Sequence, residues 1–387
     1  MTYAHIAVAL PVMGELDNIT PMLDQLRQQS HKAFTLYVCV NQPEGDDCYF
    51  AENQKTLQLL NAVEDIDIVV IDRSSAGKGW MGKKKGVGWA RKELFSRIMD
   101  ECDDQELIIS MDADTAFSPT YLESVVTAMN HHPEWSGLCI PYYHPLSGNE
   151  AQDRAMLRYE CYMRHYLINL LLIGSPYAFS ALGSAMAFPL WAYRRVGGIT
   201  PLQGGEDFYL MQKFCKTGII GKQFNECVRP QGRRSNRVPF GTGPAIAKGI
   251  DSMTNSYPFY PEEGFKSVGS TFALIPDLYE QDVETPMSAF LREQLKEEDL
   301  WSPLRKNFKT KELFSHAVQE RIDGLRILQY LKTIHEKEPA QRDETHLISF
   351  CKNHGISISD NFSFIHSPVA VLNETRDRLF ELEMKLR

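Results

Sequence analysis

Apolar positions in the first part of the chain follow two alternating rhythms. Continuous apolar runs of strand length fall at residues 6–10, 34–40, 67–72, 106–111 and 138–142. Between them, apolar residues recur at helical spacing. Ile19, Met22, Leu23 and Leu26 form one such face, with Asp17 or Asn18 as its N-cap. Residues 47–61 form a weaker one, and Val87, Ala90, Leu94 and Ile98 another. The last, Leu122, Val125, Val126 and Met129, follows a Ser118 cap and Pro119 at the first helical position. Strands alternating with helices predict an α/β fold with a mainly parallel sheet covered on both faces. Ligands of such sheets bind beyond the carboxyl ends of the strands.

The pattern then changes. Residues 151–173 read as a long helix, 184–188 as a strand, and 205–217 as a short helix stopped by Gly218. Beyond about residue 275 the chain turns helical and strongly charged, as in EQLKEEDLW and FELEMKLR. The expected division is therefore an α/β domain over 1–275 and a helical C-terminal region over 276–387.

Composition narrows the function classes. Among 387 residues, 41 Lys+Arg against 50 Asp+Glu leave a net charge of −9, which argues against a dedicated nucleic-acid binder. The eight cysteines are scattered, without a CxxC pair or zinc spacing, as in a reduced intracellular protein. The N-terminus lacks a basic n-region, and the most apolar stretch, 166–173, falls far short of the ~20 residues of a spanning helix. A cytoplasmic protein is the expectation.

Four segments carry candidate chemistry. Asp112 and Asp114 follow the fourth apolar run in ISMDADTAFSP. In an extended segment, side chains two apart point the same way. Two converging carboxylates suit a hard divalent cation that takes phosphate oxygens as further ligands; the alternative is a pair of solvated turn aspartates. The loop AGKGWMGKKKGVGWA holds Gly77, Gly79 and Gly82 in G-x-G-x-x-G spacing, with Lys78, Lys83, Lys84 and Lys85. It follows the third strand rather than the first, and Lys84 stands where a P-loop has Ser or Thr, so neither nucleotide motif fits its context. Its glycines and lysines still suit a pyrophosphate-facing loop, or else a solvated basic face. Glu206 and Asp207 open a helix, as a cap and dipole partner or as a general base for an acceptor hydroxyl with a helper carboxylate. Finally, RPQGRRSNRVPFGTG presents Arg229, Arg233, Arg234 and Arg237, a phosphate or carboxylate site or a surface loop paired with acidic helices.

The order of these residues resembles a GT-A-fold, family-2-type glycosyltransferase. The resemblance covers about residues 4–245. It rests on Pro11-x-x-x-Glu15 after the first strand, the Gly-Lys-Gly loop, D-x-D, Gly183 with Met186-Ala187-Phe188, the E-D pair and the arginine loop. It implies a GT-A sheet with a nucleotide-sugar half over 1–115 and an acceptor half over 116–275. It also implies a divalent cation, Mn2+ or Mg2+, and a UDP- or GDP-linked donor with a sugar, lipid or small-molecule acceptor. By position, Asp112 would face the ribose or metal and Asp114 the metal. Pro11 and Glu15 would lie near the nucleoside, Lys78 near the pyrophosphate or base, and Asp207 would be the base of an inverting transfer. The chain departs from the family in Met13-Gly14-Glu15 and in Asn41-Gln42-Pro43, where an acidic motif is usual. The Q-x-x-R-W of processive synthases is also absent. A retaining transferase on the same fold, a non-catalytic nucleotide-sugar binder, and an oxidoreductase built on Gly77–Gly82 are the competing readings.

Overall fold

The computed structural model describes residues 2–235, 237–238, 241–251, 257–337 and 344–387. Asn236, Pro239 and Phe240 of the arginine loop thus lie outside the described residues. The chain divides into two compact units: residues 1–156 with 179–252, and residues 157–178 with 253–387.

The first unit opens with β1 (Ile6–Val12), α1 (Leu16–Arg27), β2 (Phe34–Asn41), α2 (Phe50–Asn61), β3 (Ile68–Arg73), α3 (Val87–Glu101) and β4 (Leu107–Ser110). Then follow β5 (Thr115–Ala116), α4 (Tyr121–His131), β6 (Trp135–Cys139) and α5 (Glu150–Leu172), which enters the second unit after Met156. It closes with β7 (Met186–Pro189), α6 (Leu190–Arg195), α7 (Glu206–Thr217), β8 (Ile219–Gly221), β9 (Arg229–Pro230) and α8 (Thr242–Asp251).

Seven strands form one sheet in the order β3-β2-β1-β4-β7-β6-β8. Every residue of β1 and β2 is buried, as expected of central strands covered on both faces. The register sets Ile6 beside Phe34 on one side and Leu107 on the other. Only β7 runs against its neighbours, pairing antiparallel with β4 and with β6. Strand order reverses between β1 and β4, which opens a crevice at their carboxyl ends.

Three local expectations are corrected. Helix α1 starts at Leu16 with Glu15 as its N-cap, so Asp17 and Asn18 lie in its first turn. Helix α4 is preceded by Thr120, while Ser118 Oγ donates to Glu226 Oε2 at 2.7 Å. The fifth long strand is Trp135–Cys139, earlier than the apolar run 138–142 suggests, because pairing with β7 and β8 fixes its register there.

The second unit is helical: α9 (Glu262–Leu278), α10 (Ser288–Leu295), α11 (Ser302–Asn307), α12 (Lys311–Arg321), α13 (Gly324–Lys337), α14 (Thr345–Asn353) and α15 (Val369–Leu386). The boundary expected at 275/276 falls inside α9. The charges of this unit are partly internal. Arg164 bonds Glu160 at 2.6 Å and Glu383 at 2.5 Å, Arg376 reaches Glu160 at 3.2 Å, and all four side chains are fully buried.

Candidate active site at the sheet's carboxyl edge

The chain leaves β4 at Ser110 and turns at once. Thr115 donates its N–H to the Asp112 carbonyl at 3.1 Å, so the D-x-D lies in a turn rather than in the extended segment expected. Both carboxylates still meet at the crevice. Burial, and then the charge of Asp112, push Asp114 up to about 6, against the attraction of Arg233; Glu15 adds to the rise.

The arginine loop reaches this turn through a two-stranded ladder, with Thr115 beside Pro230 and the Gln231 N–H on the Asp114 carbonyl at 3.1 Å. Arg233 Nε donates to Asp114 Oδ2 at 2.9 Å, and its Nη2 donates to Glu15. Arg237 Nη1 bonds the Met13 carbonyl at 2.5 Å and Glu15 Oε1 at 2.6 Å. Asn18 Nδ2 holds the other Glu15 oxygen at 2.6 Å. Glu15 is thus a buried anchor for the arginine loop. Arg234 is half-exposed and pairs with Asp251 at 3.2 Å, and Arg229 is exposed on β9.

Beside this cluster lies a cleft of about 900 Å³. Met13, Tyr49, Lys85, Gln203, Arg233 and Arg237 contribute to its walls. Gly14, at φ +62°, lets the Tyr49 ring pack so close that a Cβ there would lie 2.2 Å from it. Pro11 is buried within β1 and does not line the cleft.

The first part of the glycine–lysine loop does not line the cleft. The N–H groups of Gly77 and Gly79 both donate to the Glu44 carboxylate, at 2.9 and 2.7 Å. Lys78 pairs with Asp72 at 3.0 Å and is largely exposed. Two of the backbone donors that a phosphate on this loop would use, the Gly77 and Gly79 N–H groups, are therefore engaged internally. This weighs against a phosphate at Gly77–Gly79, the stretch on which the oxidoreductase reading rests. Lys85, at the loop's end, is the lysine that lines the cleft.

Glu206 and Asp207 begin α7, behind a Gly205 N-cap at φ +79°. Glu206 is buried and bonds Arg91 of α3, whose Nη2 also bonds Asp112 at 2.7 Å and whose Nε reaches Ser110 Oγ at 3.3 Å. Arg91 joins the D-x-D to the E-D pair, and sequence reasoning missed it. Two glycines mark its place. A Cβ on Gly88 would meet the Leu202 carbonyl at 2.1 Å, so only glycine lets the loop before α7 approach α3 one turn from Arg91. A Cβ on Gly183 would meet the Arg91 guanidinium at 2.0 Å. Asp207 keeps some exposed surface, but protein atoms crowd its carboxylate. Burial, and then the Glu206 charge, raise it to about 7, opposed by Arg91 and by the Phe208 N–H at 2.7 Å.

Asp112, Asp114, Glu15, Arg233 and Arg237 therefore converge at the strand-order reversal, with Glu206 and Asp207 joined to them through Arg91. Lys78 stands apart, and Arg234 lines the cleft rim.

A model of the family described as glycosyl transferase family group 2 matches residues 107–244. No curated protein matches the chain. Among solved structures, S. aureus TarS 1-349 in complex with UDP is similar at 11% identity and a TM-score of 0.43, covering 87% of this chain and 93% of that one. The mannosyltransferase PcManGT from Pyrobaculum calidifontis, in complex with GDP-Man and Mn2+, is 10% identical at a TM-score of 0.40, over 98% and 87%. Glucosyl-3-phosphoglycerate synthase from Mycobacterium tuberculosis, with Mn2+, UDP and glucosyl-3-phosphoglycerate, is 14% identical at 0.35, over 59% and 70%. These likenesses are too distant to bring a donor or metal across. The seven-stranded sheet is mainly parallel, as the α/β reading of the sequence expects. The matched residues 107–244 hold Asp112, Asp114, Asp207, Arg233 and Arg237, so the likeness to the glycosyl transferase family falls on the part of the chain that carries the site.

Proposed function

We propose that the protein moves a sugar from a nucleotide-diphospho-sugar to an acceptor hydroxyl with inversion at the anomeric carbon. The observation that carries this reading is the convergence of two carboxylates, Asp112 and Asp114, with Arg233 and Arg237 beside a nucleotide-sized cleft. The acceptor hydroxyl oxygen attacks the anomeric carbon while Asp207 takes its proton. The bond from that carbon to the diphosphate oxygen breaks, and the nucleoside diphosphate leaves with the electron pair. Arg237 and Arg233 offer charge-assisted hydrogen bonds to the diphosphate.

Asp112 and Asp114 would hold a divalent cation, Mn2+ or Mg2+. Their chemistry fits: both are oxygen donors, and Asp114 already has a cationic guanidinium at 2.9 Å. Bound there, such a cation neutralises charge developing on the leaving diphosphate. Among the described residues no group of three or more His, Cys, Asp or Glu side chains is placed to hold a metal, so remaining ligands would come from phosphate and water. The acceptor is a sugar, lipid or small molecule. No described helix is long and apolar enough to cross a membrane.

Slow hydrolysis of a panel of UDP- and GDP-sugars, with and without Mn2+, tests the reading, since hydrolysis needs no acceptor. Asp114→Asn is expected to abolish cation-dependent nucleotide binding while the fold stays intact, because the residue lies at a turn. Tight cation-dependent binding by that variant overturns the metal assignment. Arg237→Ala is expected to weaken nucleoside diphosphate binding roughly 10- to 100-fold and nucleoside binding little, since a charge-assisted contact is worth about 1.5–3 kcal/mol. Equal losses for both ligands, read by calorimetry, would make Arg237 a structural anchor of Glu15 alone.

A further inference from the structure

Most of the loop between β3 and α3 lies outside the cleft lining. No Asp or Glu lies between Arg73 and Glu93, in a chain with 50 acidic residues. The loop is firmly seated. Glu44 takes the Gly77 and Gly79 N–H groups, the Trp80 N–H bonds the Gln42 carbonyl at 2.9 Å, and the buried Trp80 indole donates to Asn41 Oδ1 at 3.3 Å. From this base the chain turns through Gly82, at φ +63°, and presents Met81 with 75% of its surface exposed. Lys83, Lys84 and Lys85 follow it, all exposed and, among the described residues, without an ion-pair partner. Trp89 sits half-buried behind them, with the Lys84 and Lys92 ammonium groups 5.5 and 5.3 Å from its ring centre.

We propose that this loop docks the protein on an anionic lipid surface. The match is one of charge and polarity: unpaired lysines for the headgroups and an exposed, anchored methionine for the apolar layer beneath. Nucleic acid fits less well. Trp80 is buried and Trp89 is flanked by lysines, so the loop offers no open ring on which bases stack. The donor diphosphate does not account for the patch either, because Lys83, Lys84 and Met81 do not line the cleft. Lys85 does, which makes the docking face continuous with the cleft. The proposal is independent of the donor chemistry.

The test is co-sedimentation of the full chain with vesicles of phosphatidylcholine alone or rich in phosphatidylglycerol. Binding is expected only to the anionic vesicles, with release at about 1 M salt, where the screening length is ~3 Å. Each lysine near such a surface strengthens binding about fivefold. The Lys83→Gln/Lys84→Gln variant should therefore bind roughly 25-fold more weakly. Met81→Ser should weaken vesicle binding while leaving heparin binding unchanged, which separates lipid insertion from general polyanion affinity. No binding to anionic vesicles, full binding by the double lysine variant, or Met81→Ser binding vesicles as wild type does would each overturn the proposal.

Discussion

Asp207→Asn is expected to keep nucleotide and cation affinity and to lower the transfer rate by about 10²–10⁴, the usual contribution of a general base. In the proposed displacement Asp207 acts on the acceptor hydroxyl, not on the donor, so donor binding does not require it. The site suits the task. At the start of α7 the helix dipole and the Phe208 N–H favour the carboxylate, yet burial and Glu206 outweigh them and raise its pKa to about 7. A base poised there is half-ionised near neutrality. Wild-type transfer should therefore fall about tenfold for each pH unit below that value and level off above it.

The sign for stability is opposite. A carboxyl with a raised folded-state value binds its proton more tightly when folded, so its contribution is favourable at low pH and is lost as pH climbs from about 4 toward 7. Asparagine removes that loss, and the variant should melt no lower than wild type above neutrality. A residue serving only the helix start behaves otherwise: its replacement costs about 1 kcal/mol and leaves turnover per folded molecule unchanged. Melting temperature and transfer rate on one sample separate the two. A destabilised but fully active variant would remove Asp207 from the mechanism and favour retaining chemistry.

Much of the first unit was legible because its central strands, β1, β2 and β4, are fully buried. An unbroken run such as IAVAL has few other uses, and alternation with helices then fixes parallel pairing. What failed to show depends on partners distant in sequence. The run at 138–142 is as apolar as a strand, but β6 ends at Cys139, and Tyr142 pairs with Val228 through an isolated bridge outside the named strands. Asp112 and Asp114 were found for a reason the structure changes, since a turn, not an extended segment, brings them together. In the glycine–lysine loop the residue types suggest an anion site, and there is an anion on it: the chain's own Glu44, more than thirty positions away. In the charged C-terminal segment nothing local reveals that Glu383 meets Arg164. Arg91 is the most consequential omission. A single arginine in an amphipathic helix looks like a surface residue, and only the space made by Gly88 and Gly183 betrays it.

That buried arginine yields the largest expected change in stability. Arg91 is 3% exposed and Glu206 is 1% exposed, and among the described residues Glu206 Oε2 has no hydrogen-bond partner, so Arg91 is the countercharge on which the Glu206 carboxylate depends. Removing one member of a buried pair leaves an uncompensated charge and typically costs about 3–5 kcal/mol. Arg91→Met keeps the length and apolar stem while deleting the guanidinium, and a loss of that size is expected in denaturant unfolding. Replacing both partners is a different matter, because a neutral pair of similar volume is often tolerated. Arg91→Met with Glu206→Gln should therefore recover most of the stability lost by the single variant. Activity should not recover with it: Asp112 still lacks its 2.7 Å partner, and Asp207 lacks both the charge that opposes its protonation and the one that promotes it. Arg91→Lys is the control for geometry. Its single ammonium cannot span Asp112 and Glu206 as the planar fork does, so it should restore stability further than transfer. If Arg91→Met unfolds at the wild-type denaturant concentration, or the double variant is no more stable than the single one, Arg91 is not the strut that joins the D-x-D turn to the start of α7.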